Sequence, residues 1–207
     1  YNTETPSFEK ARKLTNGRMD TLTVAKCIAE DALLYEPGFG WSYSLCHDVL
    51  AAVVEVISGK RFSDYMRDNI FVPLEMNKSC YHCDKGKLTR QYIYDTGGKK
   101  DVVTLQNSAV ANGIVRDAGS DNSLVFGDEY DSGGAGIITT VSDYAKFAAA
   151  LANRGTGING ERILSRGTVE LLKANQLNEV QMKSYTWRRL KGYGYGLGVR
   201  TMIDRAA

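Results

Sequence analysis

The chain has 207 residues, of which 43% are hydrophobic and 24% are charged, and 26 basic residues against 24 acidic ones leave a net charge of +2. This length suits one domain or a large piece of one, with enough apolar residues for a substantial core. The basic residues are scattered apart from short pairs such as Lys99-Lys100, which argues against a nucleic-acid partner. No apolar run approaches the roughly 18 residues of a membrane-spanning helix. The N-terminal sequence is polar, unlike a signal peptide, and the compartment is not indicated.

Helical spacing of apolar residues recurs through the first third of the chain. Residues 21–34 show this spacing, with Asp20 or Thr21 available as the N-cap. Residues 47–58 are the strongest helix prediction, and Gly59 follows as a natural C-terminal glycine. The apolar positions of this helix predict a wide buried face, made of Val49, Leu50, Val53, Val54 and Ile57. Because β-branched residues lower helix propensity, we expect packing to hold it.

The middle of the chain predicts short elements. A helix over residues 63–70 is capped by Ser63. Residues 90–95 and 101–105 are strand-like and flank a Gly-Gly turn, so they predict a hairpin. Residues 106–136 are rich in Asn, Asp, Ser and Gly and are long for an uninterrupted loop, which is typical of a functional or partner-facing segment.

Two further helices and a strand are predicted after this segment. Thr140 caps a helix that closes on Gly155. Ser165 caps a second helix over residues 167–176. Residues 193–202 alternate as a strand does. Together, these predicted elements indicate a mainly helical protein with minor β structure.

Three ordered stretches carry a family resemblance. They are EPGFGWSYSLCHDVLAAVVEVISGKRFSDYMRDNIFVPLEM, SGGAGIITTVSDYAKFAAALANRGTGINGERILSRGTVELLKANQL and YGYGLGVR. Their order and separations resemble the serine β-lactamase-related hydrolases, which include class C β-lactamases, D-Ala-D-Ala peptidases and related esterases. The resemblance implies acyl transfer by a serine in an S-x-x-K element, with a Y-x-N tyrosine moving the proton. It also implies a K-T-G or H-x-G substrate strand and an oxyanion hole of backbone amides.

By this resemblance, Tyr43 occupies the Y-x-N tyrosine position and is the predicted catalytic residue. The turn at Pro37-Gly38 would aim its phenol into a cleft, and the following helix would hold it there. A free phenol has a pKa of about 10, so a nearby lysine cation is needed to make it a useful base. The alternative for Tyr43 is packing beside Trp41 with its hydroxyl in water.

The sequence departs from the family pattern at three places. Leu45 stands at the third Y-x-N position and offers no donor or acceptor, which favours an esterase-like branch. The S-x-x-K match, Ser7 to Lys10, has the spacing of one helical face. It lies close to Tyr43 along the chain and has charged surroundings, so we interpret it as an exposed helix start. Neither K-T-G nor H-x-G occurs.

We therefore interpret residues 1–207 as one fragment, cut at both ends. Its expected fold is mainly α with minor β (α+β), the helical domain of the β-lactamase/transpeptidase-like fold without most of the α/β domain. Residues 84–136 would be an irregular and hairpin region within it.

The fragment would contribute Tyr43 but be inert alone, because its partner is the missing α/β domain. The complete protein would act on a small-molecule ester, amide or β-lactam, or on a peptide, and the uncovered docking surface predicts self-association. The alternative is a non-catalytic binding or regulatory module that uses residues 106–136 as its recognition surface.

The cysteines are interpreted as plain thiols. Cys80 and Cys83 flank His82 and suggest zinc, but a structural zinc site needs about four ligands and no second closely spaced pair exists. We expect no metal and no cofactor.

The remaining candidate groups have structural interpretations beside the functional ones. Ser44 and His47 could form a catalytic pair, but only the adjacent Asp48 is available as an acidic orienter. A glycine cluster predicts a tight turn rather than an anion site, at Gly133, Gly134 and Gly136. Four aromatic residues predict either a cleft lining or a core cover, namely Tyr185, Trp187, Tyr193 and Tyr195.

Overall fold

The computed structural model describes residues 5–84, 88–89, 91–95, 114–119, 127–186 and 191–204. Within these residues the chain forms seven α-helices and two small antiparallel strand pairs, so the mainly helical prediction is confirmed. The chain divides into two compact units, one made of the residues up to Tyr81 together with those from Gly127 onward, the other of His82–Phe126. No helix in the described ranges is both long enough and apolar enough to cross a membrane.

The first three helices pack together in the larger unit. They are α1 (Pro6–Leu14), α2 (Thr21–Ile28) and α3 (Cys46–Ser58). The Asp20 side chain caps α2 by accepting a hydrogen bond from the backbone N–H of Thr23 at 2.8 Å, as predicted. The helix ends at Ile28 rather than at residue 34, because the chain turns there and leaves Leu33 and Leu34 exposed to solvent.

Helix α3 has the predicted position, but the predicted buried face is wrong. The buried side chains are Asp48, Ala51 and Ala52, whereas Leu50 and Ile57 are 56% and 81% exposed. Small side chains allow close approach by neighbouring elements, which the branched face would prevent. The larger apolar residues of α3 therefore lie on the outside.

The loop from Gly127 to Gly136 crosses the buried face of α3 at very short range. A Cβ atom placed on Gly133 would lie 2.0 Å from the carbonyl oxygen of His47 and 3.0 Å from the Cβ of Ala51. Contacts that short are impossible, so only glycine fits at this crossing. The first turn of α3 is thus held directly by the backbone of the loop.

The same loop also holds the start of α4 (Phe62–Met66), which continues into a π-helical turn at Arg67–Phe71. Ser63 is not the N-cap as predicted: the helix begins after Arg61, and the backbone N–H of Ser63 donates to the carboxylate of Asp131 at 2.8 Å. Asp131 is fully buried and also accepts a hydrogen bond from the Arg61 guanidinium at 3.2 Å. A buried carboxylate is stabilised by such donors.

Three helices follow the loop, and their N-caps are visible in the sequence. They are α5 (Val141–Ala152), α6 (Arg166–Lys173) and α7 (Glu179–Ser184). Thr140 caps α5 and Ser165 caps α6, as predicted. Helix α7 was not predicted, although Asn178 and Gln181 form a reciprocal capping box at its start.

A hydrophobic cluster joins the end of α4 and its π-helical turn to α5. Its buried members are Phe71, Leu74, Met76, Tyr81 and Ala150. The Tyr81 ring packs edge-on against Phe62 at 5.6 Å and stacks on Phe71 at 6.5 Å. Aromatic pairs in these geometries contribute beyond their buried area, so this cluster stabilises the packing of α4 and its π-helical turn against α5.

The smaller unit contains an antiparallel strand pair that was not predicted. Strand β1 (Gln91–Asp95) pairs with β2 (Ile114–Gly119), with Ile93 opposite Arg116. The hairpin prediction paired β1 with residues 101–105, which lie outside the described residues. Residues 114–119 also interrupt the segment that was predicted to be a long loop.

The last predicted strand folds back on itself. Strands β3 (Tyr193–Tyr195) and β4 (Arg200–Met202) form an antiparallel hairpin. The turn between them includes Gly198 at φ +79°, a conformation that side chains with a Cβ rarely adopt. The alternation was therefore read correctly as β structure but not as two strands.

The crossing of the loop over α3 predicts opposite effects for two glycine-to-alanine changes. Gly133→Ala must displace backbone, so we expect a loss of about 2–4 kcal/mol in the free energy of unfolding. The control Gly167→Ala lies in α6 with free space around it and should gain up to about 1 kcal/mol from helix propensity. Urea denaturation measures both. Equal values for the two variants would contradict the close approach at Gly133.

Candidate active site

A cleft of about 260 Å³ opens beside the start of α3 in the larger unit. Its lining comes from the segment before α3, the first turn of α3, and strand β3. The lining residues are Tyr35, Gly40, Trp41, Ser42, Tyr43, Ser44, Cys46, His47 and Tyr195. Residues far apart in the sequence thus meet in one concave surface.

The segment before α3 is shaped by the predicted turn. The backbone N–H of Phe39 donates to the carbonyl of Glu36 at 3.0 Å, and Gly38 has φ +89°, as a Pro-Gly turn requires. The Asn178 amide donates to the carbonyl oxygen of Gly38 at 3.1 Å, and the Ser184 hydroxyl accepts from the N–H of Trp41 at 2.7 Å. Both ends of α7 therefore hold this segment in place.

An aromatic cluster forms the wall behind the cleft. The Trp41 ring lies edge-on to Tyr185 at 4.7 Å and 89°, and to Tyr195 at 5.3 Å. The Tyr185 hydroxyl donates to the carbonyl oxygen of Gly194 at 3.2 Å, which connects the ring to β3. Burial raises the pKa of the Tyr185 phenol, which keeps it protonated as a donor.

The structure decides between core cover and cleft lining for two of the aromatic residues near the C-terminus. Tyr185 is buried and covers the core, whereas Tyr195 lines the cleft. Tyr193 lies under the Arg200 guanidinium, 4.7 Å from its ring centre, in a cation–π contact. Trp187 lies outside the described residues.

Tyr43 lies in the cleft and is 49% exposed. Burial raises the pKa of the neighbouring Tyr195 phenol, because it disfavours the charged form. Leu45 follows at the N-cap position of α3, where its side chain has no capping oxygen. The cleft position agrees with the expected aim of the phenol, while its catalytic role stays a prediction.

Asp48 is the residue that fixes the first turn of α3, and sequence reasoning gave it no structural role. Its side chain is 1% exposed, and one carboxyl oxygen accepts hydrogen bonds from the hydroxyls of Tyr130 at 2.5 Å and Ser132 at 2.7 Å. A buried carboxyl oxygen needs such donors in place of water, and removing them would leave it unsatisfied. The signal in the sequence was an acidic residue in the first turn of an apolar helix, on the same face as Ala51 and Ala52.

The glycine cluster forms the predicted tight turn. The Ser132 hydroxyl accepts from the N–H groups of Gly134 at 3.3 Å and Ala135 at 3.1 Å, and its own carbonyl accepts from Gly136. Ser132 therefore closes the turn on one side and binds Asp48 on the other. The N–H groups of Gly134, Ala135 and Gly136 donate within the turn, so they are not available to bind an anion.

The S-x-x-K match near the N-terminus does not form a catalytic unit. Ser7 was predicted to be exposed, but it is 3% exposed, and its hydroxyl donates to Asp31 at 2.8 Å. The Lys10 ammonium pairs with Glu30, which raises the pKa of the lysine rather than lowering it as a general base requires. The exposed Lys10–Glu30 ion pair links α1 to the segment that follows α2.

The second candidate pair, Ser44 and His47, does not form a catalytic arrangement, because the two residues make separate contacts. Ser44 donates its hydroxyl hydrogen to the Cys46 sulfur at 2.8 Å. The adjacent acid, Asp48, is engaged by Tyr130 and Ser132 in the interior. His47 lies against the β3–β4 turn, since a Cβ on Gly198 would be 2.8 Å from its Nε2 atom. A triad would need the base and its orienter aligned with the nucleophile.

The four cysteines are free thiols in the structure, with Cys27 buried and Cys46 exposed. Burial raises the pKa of the Cys27 thiol, which makes it less reactive. Across the described part of the chain, no group of three or more His, Cys, Asp or Glu side chains could hold a metal ion.

The comparison with protein families identifies the class of protein. The beta-lactamase family profile matches residues 4–206. The chain therefore belongs to the beta-lactamase family, and the resemblance read from the three sequence stretches is confirmed. None of the curated protein sequences compared with it matches.

Solved structures show the same fold. EstCE1, a hydrolase with promiscuous acyltransferase activity, is 22% identical with a TM-score of 0.64, over 90% of this chain and 47% of its own. Simvastatin synthase (LovD) from Aspergillus terreus is 18% identical with a TM-score of 0.66, over 97% and 49%. A penicillin-binding protein homologue from Pyrococcus abyssi, an octamer, is 20% identical with a TM-score of 0.59, over 86% and 34%. The chain thus spans about half of the first two structures or less.

The Asp48 contacts predict a measurable coupling. Asp48→Ala leaves the hydroxyls of Tyr130 and Ser132 without their buried acceptor, which should cost about 2–5 kcal/mol in the free energy of unfolding. A double-mutant cycle of Asp48→Ala with Tyr130→Phe should show a coupling energy of about 1–3 kcal/mol. The control Asp68→Ala removes an exposed acid paired with Lys60 and should change little. Additive effects in the cycle would contradict the contact.

Proposed function

We propose that this chain supplies the proton-transfer tyrosine of a serine acyl-transfer site, in a hydrolase that acts on an ester, amide or β-lactam bond. The supporting observation is the half-exposed position of Tyr43 in a cleft, immediately before a helix whose first turn is fixed from behind. A group that transfers a proton must reach the substrate and keep a defined orientation. Membership of the beta-lactamase family supports the reaction class, as does the similarity in fold to a hydrolase with acyltransferase activity and to a D-amino acid amidase.

The nucleophile and its lysine come, in this proposal, from residues outside the 207. Ser7 and Lys10 are engaged with Asp31 and Glu30, so they support no attack on a carbonyl. Chains that share the fold are about twice as long or longer. In this arrangement the chain alone is inert, and a serine–lysine pair brought to the mouth of the cleft would complete the site.

The lysine would act on the Tyr43 phenol through its charge. An ammonium within about 4–6 Å favours the phenolate and lowers its pKa, while the field at the N-terminus of α3 adds a smaller contribution of the same sign. Leu45 adds no hydrogen bond to a substrate amide, since its side chain is apolar. This favours an ester over a β-lactam or peptide as the substrate bond.

The test of the proposed function is substitution of Tyr43 in a polypeptide that carries this chain together with its S-x-x-K segment. Tyr43→Phe keeps the ring and removes the proton-transferring hydroxyl, so kcat for p-nitrophenyl acetate should fall about 10²–10⁴-fold with KM little changed. The matched control is Tyr144→Phe, an exposed tyrosine on α5 outside the cleft, which should retain full activity.

The 207 residues alone should neither hydrolyse p-nitrophenyl acetate or nitrocefin nor react with a fluorophosphonate probe. Stoichiometric labelling of Ser7 would overturn the proposed source of the nucleophile. Unchanged kcat in Tyr43→Phe would instead overturn the role of the tyrosine, and it would favour the alternative of a non-catalytic binding module.

We also propose that the outer face of α3 is a docking surface for the rest of the fold, namely the α/β domain. This α3 apolar face consists of Leu50, Val53, Val56 and Ile57, which are between 44% and 81% exposed. Contiguous exposed apolar side chains on one helix are uncommon on a surface that meets only water. Left uncovered, this face should promote self-association.

Light scattering of the 207-residue chain tests this docking surface. We expect dimers or larger species at high micromolar concentration, and Ile57→Lys should shift them toward monomer because it places a charge in the apolar contact. The matched control is Ile158→Lys, since Ile158 is 79% exposed in a turn and Ile57 is 81% exposed. A monomeric parent chain, or equal effects of both variants, would rule the surface out.

A further inference from the structure

Helix α7 binds the backbone of the segment before Tyr43 at two atoms, one from each end of the helix. At the start of α7 the Asn178 amide donates to the carbonyl oxygen of Gly38 at 3.1 Å. At its last residue the Ser184 hydroxyl accepts from the N–H of Trp41 at 2.7 Å. Both bonds join parts of the chain that are far apart in sequence. Because they involve main-chain atoms, they fix the peptide groups of the segment directly.

The Ser184 hydroxyl is oriented for this contact by a second hydrogen bond. It donates its hydrogen to the carbonyl oxygen of Gln181 at 2.8 Å, within α7. A serine hydroxyl has one hydrogen, so its oxygen then serves as the acceptor for the Trp41 N–H. Alanine at position 184 would remove both bonds, whereas threonine would keep the hydroxyl.

Helix α7 is itself held in place by other contacts, so it can act as a fixed support. Asn178 and Gln181 form the capping box at its start. Tyr185, directly after the helix, is buried and donates to the carbonyl oxygen of Gly194 at 3.2 Å. The Trp41 ring packs edge-on against Tyr185 at 4.7 Å, which adds a side-chain contact to the backbone bond.

Tyr43 lies between this support and the fixed first turn of α3. It follows Trp41 by two residues and precedes Cys46, the first residue of α3, by three. Two residues of extended chain span at most about 7 Å, so the backbone of Tyr43 stays close to both fixed points. A catalytic group has to be held to within about 0.5 Å of its productive position, and a misplacement of about 1 Å costs about 10²-fold in rate.

We propose that Ser184 is a positioning residue for Tyr43 and that Asn178 assists it from the other end of α7. This inference rests on the proposed function and deepens it, because it assigns the orientation of the phenol to a helix distant in sequence. Neither side chain is among the described residues that line the cleft. Both therefore act through the backbone before Tyr43 rather than by touching a substrate.

Hydrogen exchange of the Trp41 backbone amide tests the contact on the 207-residue chain. The rate is read by NMR relative to the amides of α3, which report opening of the whole unit. Ser184→Ala removes the acceptor and should speed the exchange about tenfold, while Ser184→Thr should keep the parent rate. The control Ser165→Ala removes a hydroxyl that accepts from the Thr168 N–H at the start of α6 and should leave the Trp41 rate unchanged. An unchanged rate in Ser184→Ala would overturn the proposal.

The kinetic test uses the polypeptide that also carries the S-x-x-K segment, with p-nitrophenyl acetate as substrate. Ser184→Ala should lower kcat about 10- to 100-fold and leave KM within about twofold, because the phenol is misplaced while the cleft lining is kept. Ser184→Thr should restore kcat to within about threefold of the parent. Ser165→Ala loses a helix cap outside the cleft and should retain full activity.

A second variant separates the contact from the stability of α7. Asn178→Asp keeps an oxygen to cap the helix but loses the donor to Gly38, so kcat should fall about threefold to tenfold with KM unchanged. Circular dichroism melting curves confirm that each variant is folded. Unchanged kcat in both Ser184→Ala and Asn178→Asp would overturn the positioning role.

The double variant of Tyr43→Phe with Ser184→Ala shows whether Ser184 acts through the tyrosine. With the phenol hydroxyl already removed, Ser184→Ala should lower kcat by no more than about twofold further. Losses that multiply in the double variant would contradict a role through Tyr43. Full activity of Tyr43→Phe would instead overturn the proposed function, whereas a loss in Tyr43→Phe with none in Ser184→Ala would overturn the positioning role alone.

Discussion

The buried carboxyl group of Asp48 is the constraint on which the rest of the larger unit depends. One of its oxygens accepts hydrogen bonds from the hydroxyls of Tyr130 and Ser132, on the face of α3 that also buries Ala51 and Ala52. An acidic group with so little exposure is tolerable only where donors replace its hydration. The loop that supplies these donors is therefore held against α3. Gly133 has no side chain, which allows the loop backbone to contact the helix directly.

The hydrogen bonds of Asp48 to Tyr130 and Ser132, called here the Asp48 clamp, fix the positions of the cleft residues on α3. The first turn of α3 carries Cys46 and His47, and Tyr43 precedes it by three residues. The opposite wall is fixed independently, because α7 holds the Pro-Gly turn and Trp41 packs on Tyr185. Two separately anchored elements thus form one preformed concave surface, as expected for a site that orients a substrate before reaction.

Much of this arrangement could be predicted from the sequence, and the failures have physical causes. Caps at Asp20, Thr140 and Ser165 gave correct helix starts because capping is a local interaction. The buried face of α3 was predicted wrongly, because hydrophobicity alone ignores that Ala51 and Ala52 permit closer packing than valine or leucine. Asp48 was missed for a related reason: its partners lie over 80 residues away, and no periodic pattern encodes a long-range hydrogen bond.

The most direct test of the clamp is a nuclear Overhauser measurement between the His47 ring protons and the α-protons of Gly198. These groups are adjacent in the structure, since a Cβ on Gly198 would lie 3.7 Å from the Cε1 of His47. If Asp48 fixes the first turn of α3, the cross-peak is strong in the parent chain, is retained in Asp48→Asn, and is lost in folded Asp48→Ala. An undiminished cross-peak in Asp48→Ala would show that the position of the helix start does not depend on this carboxyl group.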